Sequence, residues 1–267
     1  MNSKIYYFSS SGNSFYLAHI LREKLECEEE IDIKDTKEFN EINLKGKTVG
    51  LIFPIMYGRI PLSVEEFLNK IVLDDNTYFY VIVLSTKKCE SVFKEIDDAL
   101  INKHSYLALS LNVISPSNYI FGLWDRACTY KKSIKILEHA KKEVLALSDK
   151  ILNKEVIKYN SSYKLHHKYQ KLSIEEFKEK VNNYGDKFFL NSNCIHCGIC
   201  IKNCPNDNIV LIEGIPVWKN NCEGCMRCIN NCEFEAIEFD AYTSGKRRYG
   251  NPYVDEDEFG FYIKERN

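Results

Sequence analysis

Two stretches of the chain share one cysteine spacing: Cys194-Ile-His-Cys197-Gly-Ile-Cys200-Ile-Lys-Asn-Cys204-Pro205 and Cys222-Glu-Gly-Cys225-Met-Arg-Cys228-Ile-Asn-Asn-Cys232. Together they hold eight of the eleven cysteines. In each stretch three thiols recur at every third position, and a fourth follows after one further residue. Three thiolates spaced in this way can wrap one face of a cubic iron–sulfur cluster, while the fourth points away and can reach a second cluster. The repeat therefore predicts a region that binds iron–sulfur clusters.

The spacing resembles the bacterial two-cluster ferredoxin pattern C-x2-C-x2-C-x3-C-P. The resemblance implies that each stretch gives its fourth cysteine to the other cluster. One [4Fe–4S] cluster is then expected on Cys194, Cys197, Cys200 and Cys232. The second is expected on Cys222, Cys225, Cys228 and Cys204. One residue departs from the pattern: Glu233, instead of proline, follows Cys232, and its carboxylate is expected to lower the potential of that cluster because reduction adds negative charge there.

Two other interpretations of these cysteines fit less well. Paired zinc sites use separate C-x2-C pairs, without a regular triplet and a fourth cysteine at a longer step. Disulfide frameworks belong to small secreted chains that lack a sufficient core. A short β-type run follows each stretch, and residues 209–218, interrupted by Glu213-Gly214, predict a β-hairpin.

Composition allows a second, larger domain. The 267 residues are 45% hydrophobic, which is enough to bury a core beside the cysteine region. A net charge of −2 gives no electrostatic reason to expect nucleic acid. The longest apolar runs, 49–57 and 78–84, are interrupted or too short to span a bilayer, and the start does not resemble a signal peptide. Because cluster thiolates need reducing conditions, we expect a cytoplasmic protein, with Cys27, Cys89 and Cys128 as ordinary thiols.

The first 150 or so residues alternate between apolar strands and amphipathic helices. Strands are predicted at 4–8, 30–33, 48–55, 78–84 and 105–114, with helices at 15–25, 62–71, 90–101 and 127–152. Continuous apolar strands separated by helices predict an α/β fold with a doubly wound, five-stranded parallel sheet. In such sheets ligands bind at the carboxyl ends of the strands.

The loop after the first strand reads Ser9-Ser10-Ser11-Gly12-Asn13-Ser14. Its hydroxyls, backbone N–H groups and following helix N-terminus can hold a phosphate without a lysine. It lacks the Gly-Lys-Ser/Thr ending of a P-loop and the three spaced glycines of a Rossmann fingerprint. It resembles the flavodoxin pattern (Ser/Thr)-x-Thr-Gly-Asn-Thr, which binds the phosphate of FMN. A plain polar turn is the alternative interpretation.

Taken together, the two regions resemble the fused flavodoxin–ferredoxin proteins of anaerobic bacteria and archaea. The resemblance implies a flavodoxin-like FMN domain over 1–152, a helical linker or arm over 153–185, a small α+β two-cluster ferredoxin-like domain over 186–240, and a C-terminal tail over 241–267. It also implies further flavin contacts in the loops after the third, fourth and fifth strands. These predicted contacts are Met56, Tyr57, Gly58, Ser85, Thr86, Asn118 and Tyr119. The segment from Ser85 to Cys89 departs from the Cys-Gly-Gly-like turn of many family members.

The predicted arm and tail are less informative. The arm is lysine-rich, and Ser173-Ile-Glu-Glu176 predicts the start of a helix by the capping-box rule; a flexible tether is the alternative. In the tail, the basic run 246–248 is followed by an acidic run at 255–258, so the two balance in charge.

The predicted cofactors indicate electron transfer. The chain is expected to pass electrons between FMN and two [4Fe–4S] clusters, and so to link one-electron carriers to flavin chemistry. One alternative is a flavin-dependent reductase of a quinone, nitro compound or disulfide, fed by the clusters. The other is an electron-input subunit of a larger oxidoreductase. A redox partner protein, either a ferredoxin or an oxidoreductase, is expected, whereas nucleic acid and membrane insertion are not.

Overall fold

The computed structural model describes residues 2–89, 91–159 and 172–254. These residues form two compact units. The first, the sheet unit, contains 2–9, 14–115 except 90, and 136–159. The second, the cysteine unit, contains 10–13, 116–135 and 172–254. Residues 10–13 of the serine loop and residues 116–135 after the fifth strand are grouped with the cysteine unit. The domain boundaries at 152, 185 and 240 stay predictions.

The N-terminal part of the chain alternates strands and helices as predicted. In chain order the elements are β1 (Ser3–Tyr7), α1 (Asn13–Leu25), β2 (Glu29–Asp32), β3 (Ile42–Asn43), β4 (Thr48–Pro54), α2 (Leu62–Lys70), β5 (Ile71–Val72), β6 (Tyr78–Ser85), α3 (Ser91–Ile101), β7 (Leu107–Ile114) and α4 (Tyr130–Leu152). Short 3-10 turns lie at Ile33–Thr36, Gly185–Lys187 and Asp240–Tyr242. No helix in the described ranges is long and apolar enough to cross a membrane.

Five of these strands form one parallel sheet in the order β2-β1-β4-β6-β7. Counted among the five, this is the 2-1-3-4-5 order of the flavodoxin-like doubly wound fold. The predicted fold class is therefore confirmed. The strands β3 and β5 pair with each other in a separate two-stranded ladder.

The centre of the sheet is apolar on both faces. Nearly every residue of β4 and β6 is buried, as expected for strands covered by helices on both sides. Gly50 in β4 lies against the ring of Tyr80 in β6, and a Cβ atom there would come within 2.4 Å of that ring. Glycine at this position therefore leaves space for a fully buried tyrosine.

The first residues after α4 pack onto the sheet unit. The backbone N–H of Ile157 donates to the carbonyl of Ala108 at 2.8 Å. The hydroxyl of Tyr78 donates to the carbonyl of Glu155 at 2.7 Å, and the Lys154 ammonium lies 4.6 Å from the Tyr78 ring centroid. Residues 160–171 of the predicted arm, and residues 255–267 of the predicted tail with their acidic run, lie outside the described residues.

The cysteine unit is built from short elements. These are α5 (Ile174–Asn182), β8 (Phe188–Leu190), α6 (Ile199–Asn203), β9 (Ile209–Ile212), β10 (Ile215–Trp218), α7 (Arg227–Asn230) and β11 (Ile237–Phe239). The predicted hairpin is confirmed, because β9 pairs antiparallel with β10 and both Glu213 and Gly214 have positive φ angles, as a tight two-residue turn requires. The predicted capping box of α5 is also confirmed, with both Ser173–Glu176 hydrogen bonds present.

Aromatic side chains form much of the interior of the cysteine unit. Phe121 stacks on Phe239 with ring centroids 3.7 Å apart. Phe239 contacts Phe188 at 4.9 Å, and Phe188 stacks on Trp218 at 5.0 Å. A continuous aromatic column therefore runs from Phe121 to Trp218.

The chain after β11 is folded into the cysteine unit, where sequence reasoning expected a charge-balanced tail. Arg248 is buried and forms an ion pair with Glu238 at 2.9 Å. It also donates to the carbonyls of Ile237 and Thr243. Lys246 is buried too, and its ammonium donates to the carbonyls of Ile120, at 2.9 Å, and Gly122. These cations thus hold residues 241–254 in place.

Candidate functional site

The two cysteine stretches have matching backbone shapes. A residue with positive φ precedes the short helix in each: Gly198 before α6 and Met226 before α7. Each helix then carries the third cysteine of its stretch, Cys200 or Cys228. The sequence repeat therefore corresponds to a structural repeat.

The first set of thiols groups across the two stretches. Burial, with smaller contributions from the nearby Cys232, Cys197 and Cys194, raises the pKa of Cys200 to about 12. Burial also raises the pKa of Cys232, with a contribution from Cys197, although backbone N–H groups oppose the rise. These four cysteines are the set predicted for the first cluster, with Cys232 supplied by the second stretch.

The second set groups in the corresponding way. Burial raises the pKa of Cys222 to about 12, and Cys204 and Glu223 act in the same direction. The pKa values of Cys225 and Cys228 are raised well above the ordinary value, mainly by burial, with Cys204 and Cys222 among the further causes. Cys204, from the first stretch, therefore interacts with the other three. Cys200 also acts on Cys228, so the two sets are neighbours.

This environment fits the binding of iron. Several thiolates gathered in partly buried positions repel one another and lose hydration, which disfavours the charged form. Iron supplies the compensating positive charge, and a coordinated thiol is deprotonated. Backbone N–H groups already point at the sulfurs, with Asn208, Gly224 and Ala236 donating at 3.3 Å to Cys204, Cys222 and Cys232 respectively. Hydrogen bonds to sulfur are a recognised means of setting cluster potentials.

An open cleft lies over the first set of cysteines, and its volume, including the solvent space at its mouth, is about 500 Å³. Its lining includes Cys194, Cys197, Cys200, Cys232 and Glu233. In the described part of the chain, no three His, Cys, Asp or Glu side chains lie close enough to share one metal ion. The ligand sets therefore remain predictions from the spacing and the thiol grouping. His196 is exposed, and its Nδ1 lies 2.9 Å from the carbonyl of Gly214 in the hairpin turn.

The serine loop is buried. Residues Ser9, Ser10, Ser11, Asn13 and Ser14 are each less than one-tenth exposed, and α1 begins at Asn13. Ser9 Oγ has no hydrogen-bond partner among the described residues. A buried, unsatisfied hydroxyl beside a helix N-terminus fits an anionic group such as a phosphate.

Residues 10–13 of the serine loop belong to the cysteine unit, where they are hydrogen-bonded to the second cysteine stretch and to the chain that follows it. The amide of Asn231, which directly precedes Cys232, donates to the carbonyl of Ser10 at 3.0 Å. Asn13 Oδ1 accepts from the Tyr249 hydroxyl at 2.8 Å and from the Asn251 amide at 3.0 Å. The Asn13 side chain is therefore fully engaged by protein groups.

Glycine is required in this loop. Gly12 has a φ of +88°, and a Cβ atom there would lie 2.9 Å from the Cβ of Asn251. A side chain at residue 12 would therefore be strained and would also displace Asn251. The backbone N–H of Asn251 donates to the carbonyl of Ser11 at 2.9 Å, so the close approach is part of a hydrogen-bonded arrangement.

In the sheet unit, the loops after β4 and β6 carry further predicted flavin contacts. Parallel pairing of these strands brings both loops to the carboxyl edge of the sheet. Met56 and Arg59 exchange two backbone hydrogen bonds at 3.0 Å, with positive φ at Tyr57 and Gly58 between them. This tight turn presents the half-buried Tyr57.

The loop after β6 is held by a buried asparagine. The amide of Asn112 donates to Ser85 Oγ at 2.7 Å, and its oxygen accepts from the backbone N–H of Cys89 at 2.6 Å. Ser85 Oγ also donates to the carbonyl of Lys87 at 2.6 Å, while Thr86 is exposed. The Ser85 hydroxyl therefore has a structural role in this loop.

The predicted contacts Asn118 and Tyr119 belong to the cysteine unit. The carbonyl of Asn118 accepts from the Asn230 amide at 3.3 Å. The Tyr119 ring lies 6.0 Å from Phe121. Sequence reasoning missed Asn230, Asn231 and the 249–251 segment, and no local motif marks them, because their importance comes from contacts with distant parts of the chain.

Comparison with known proteins agrees with the cysteine pattern. Residues 187–240 match the family described as the 4Fe-4S dicluster domain. A comparison with curated protein sequences gave no match. The match and the parallel sheet together describe a flavodoxin-like domain fused to an iron–sulfur region, an architecture that supports an electron-transfer flavo-iron–sulfur protein.

Similar solved structures include a flavodoxin from the domain Archaea, with 15% identity and a TM-score of 0.35, covering 57% of this chain and 99% of its own. A short-chain flavodoxin associated with a non-canonical PDU bacterial microcompartment has 15% identity and a TM-score of 0.34, covering 55% and 99%. The flavodiiron protein from Giardia intestinalis has 13% identity and a TM-score of 0.33, covering 57% and 36%. At such TM-scores, the fold assignment depends on the strand order of the sheet itself.

Proposed function

We propose that this protein binds FMN and two [4Fe–4S] clusters and passes electrons between them. The observation that carries the proposal is the hydrogen bond from Asn231 to the Ser10 carbonyl, since it joins the predicted phosphate loop to the residue before a predicted cluster ligand. When bound, the clusters supply one-electron transfer and the flavin supplies one- or two-electron chemistry. A chain that holds both can link single-electron carriers to two-electron reactions.

The ligands proposed for the clusters are the two crossed sets, Cys194, Cys197, Cys200 with Cys232, and Cys222, Cys225, Cys228 with Cys204. The support for these sets is that the cysteines of each set act on one another's pKa values. Because thiolate ligation needs a reducing compartment, the proposed location is the cytoplasm.

The FMN phosphate is proposed to bind the loop 9–14. The support is the buried hydroxyl of Ser9, which has no hydrogen-bond partner in the described part of the chain, together with the backbone N–H groups at the start of α1. The other predicted flavin contacts, Met56, Tyr57, Gly58, Ser85, Thr86, Asn118 and Tyr119, remain proposals from the family resemblance. Of these, Tyr57 offers an aromatic ring on a rigid turn.

Rapid mixing of the intact, anaerobically loaded protein with dithionite tests this function. We expect cluster bleaching to be followed by flavin reduction at a rate that does not change with protein concentration. Covalent linkage makes the transfer intramolecular, whereas separate carriers must collide. A flavin rate that rises in proportion to protein concentration would contradict internal transfer. Stoichiometric zinc without acid-labile sulfide would exclude the clusters themselves.

A matched pair of variants tests whether electrons reach the flavin through the first cluster. Cys232→Ala removes a proposed ligand of the first cluster, whereas Cys128→Ala removes a half-buried thiol outside both sets. We expect the first to slow flavin reduction and the second to leave it unchanged, with FMN content equal in both. Equal flavin rates in both variants would show that the first cluster does not lie on the route.

A further inference from the structure

One turn of the cysteine unit exposes an aromatic residue to an unusual degree. Trp124 is 85% exposed and the adjacent Leu123 is 55% exposed. Tyr130, at the start of α4, is 47% exposed. Large aromatic side chains are usually buried, so an almost fully exposed tryptophan beside other apolar groups is a common sign of an interaction surface.

The turn that carries Trp124 is held in a defined shape. The Asp125 carboxylate accepts from the backbone N–H of Gly122 at 2.8 Å. The buried ammonium of Lys246 donates to the carbonyls of Ile120 and Gly122. Arg126 donates to the carbonyls of Leu123 and Asp125 at 3.0 and 2.8 Å. The turn therefore presents Trp124 with little conformational entropy to lose on binding, which favours affinity.

The surroundings of the turn are basic. Arg126, Lys132 and Arg247 are exposed. Arg126 lies close enough to act on the charge of Lys246, while Lys132 and Arg247 both act on Cys128. The Asp125 carboxylate within the turn is bonded to the backbone N–H of Gly122. Three cations around an apolar centre are complementary to an acidic protein surface.

Behind the turn lies the interior of the cysteine unit. Phe121 precedes the exposed residues and begins the aromatic column that ends at Trp218. Trp218 in turn lies beside Cys228, a predicted ligand of the second cluster. A protein bound over Trp124 would therefore lie three residues along the chain from the aromatic column that leads to that cluster.

We propose that the surface formed by Leu123, Trp124, Arg126, Tyr130, Lys132 and Arg247 is the docking site for a small acidic protein that carries one electron. The inference rests on the proposed function, which it extends by naming the partner class and its point of entry. An anionic membrane is the less suitable occupant, since membrane-surface helices bury a continuous apolar face and here the apolar groups lie on one turn and one helix start.

Stopped-flow kinetics with the intact, cofactor-loaded protein tests the docking site. The probe is a reduced [2Fe–2S] ferredoxin with a strongly acidic surface, and the readout is the bimolecular rate of cluster reduction. We expect the wild-type rate to fall as salt is added. Trp124→Ala should lower the rate by about ten-fold or more, as for a central aromatic anchor. The double variant Arg126→Glu/Arg247→Glu should lower it and abolish the decrease with salt.

Two control variants match these changes elsewhere. Phe39→Ala removes a side chain that is 56% exposed in the sheet unit. Lys24→Glu/Lys178→Glu changes the net charge by the same amount at other exposed positions. Both should react with the probe at wild-type rates. If Trp124→Ala and Phe39→Ala react equally fast, the docking site is wrong.

Dithionite separates failure of docking from failure of the proposed function. Every variant should accept electrons from dithionite at the wild-type rate, because a small reductant needs no docking surface. Cofactors that dithionite cannot reduce, or clusters that pass nothing to the flavin, would instead overturn the proposed function. Sedimentation with phosphatidylserine vesicles, together with no salt-dependent reaction with the acidic probe, would replace the protein partner by a membrane.

Discussion

The sheet unit and the cysteine unit differ in what stabilises their interiors. The sheet unit buries apolar strands, and β6 has seven consecutive buried residues from Tyr78 to Leu84. The cysteine unit buries many polar groups, among them the ion pair of Glu238 and Arg248 and the amides of Asn230, Asn231 and Asn251. Removal of an apolar group costs roughly in proportion to the area that it buried, whereas removal of one member of a buried polar network also leaves its former partners unsatisfied. The cysteine unit should therefore be the more sensitive to loss of single partners or of its clusters.

Removal of iron should have the largest effect. Chelation under anaerobic conditions is expected to unfold the cysteine unit, because the crowded thiols lose the cations that hold them together. Both tryptophans of the chain, Trp124 and Trp218, belong to this unit, so tryptophan fluorescence reports on the cysteine unit alone. We expect the emission of the buried Trp218 to shift to longer wavelength while most helical circular dichroism persists. Unchanged emission after complete iron loss would show that the unit folds without metal.

Loss of one ligand should remove one cluster. The fully loaded protein is expected to contain about eight iron and eight sulfide, and Cys232→Ala about four of each. Its remaining EPR signal should match that of Cys197→Ala and differ from that of Cys225→Ala, because Cys232 and Cys197 interact across the two stretches. If Cys232→Ala copies Cys225→Ala, each stretch binds its own cluster.

Breaking the buried ion pair should destabilise the cysteine unit selectively. Arg248→Met leaves the Glu238 carboxylate buried without its cation, which costs about 3–5 kcal/mol in the free energy of unfolding. Arg247→Met, at the adjacent exposed position, is the control and should change stability by less than about 0.5 kcal/mol. Denaturant unfolding followed by tryptophan emission measures both. Equal midpoints for the two variants would contradict a stabilising role for the pair.

A matching change in the sheet unit should have a smaller effect. Gly50→Ala places a Cβ against the Tyr80 ring, and overpacking of this kind costs about 1–3 kcal/mol. Unfolding is followed by far-ultraviolet circular dichroism, since this unit has no tryptophan. Adding Tyr80→Leu should recover part of the loss by making space, although it removes a buried ring. A double variant no better than the sum of the single changes would show that the two residues are not coupled.

The smallest expected effect concerns the bond between the serine loop and the cysteine stretch. Asn231→Ala removes the donor to the Ser10 carbonyl, and one such hydrogen bond is worth about 1 kcal/mol. FMN should therefore bind up to about five-fold more weakly, because the loop would lose a bond that holds its shape. Flavin fluorescence quenching measures the affinity, and Asn182→Ala on the exposed face of α5 is the control. Unchanged affinity in Asn231→Ala would show that this bond does not shape the loop for FMN.

Much of the architecture could be predicted from local patterns. The period of apolar residues predicted the five strands and the helices between them, because burial on a sheet or helix face imposes that period. Glu213-Gly214 predicted the hairpin turn and Ser173 with Glu176 predicted a helix start, since both depend on neighbouring residues alone. The cysteine spacing predicted the region that matches the 4Fe-4S dicluster family.

The contacts between distant parts of the chain could not be predicted in this way. Asn231 is 221 residues from Ser10, and Asn251 is 238 residues from Asn13, yet each pair is hydrogen-bonded. Asparagine is common in loops and carries no signal of which loop it will meet. Likewise Lys246 and Arg248 have the sequence character of a solvated basic run and become buried only because folding supplies carbonyls and a carboxylate around them. Spacing and periodicity thus determined the elements and the candidate ligands, whereas folding determined their partners, because those partners depend on three-dimensional packing.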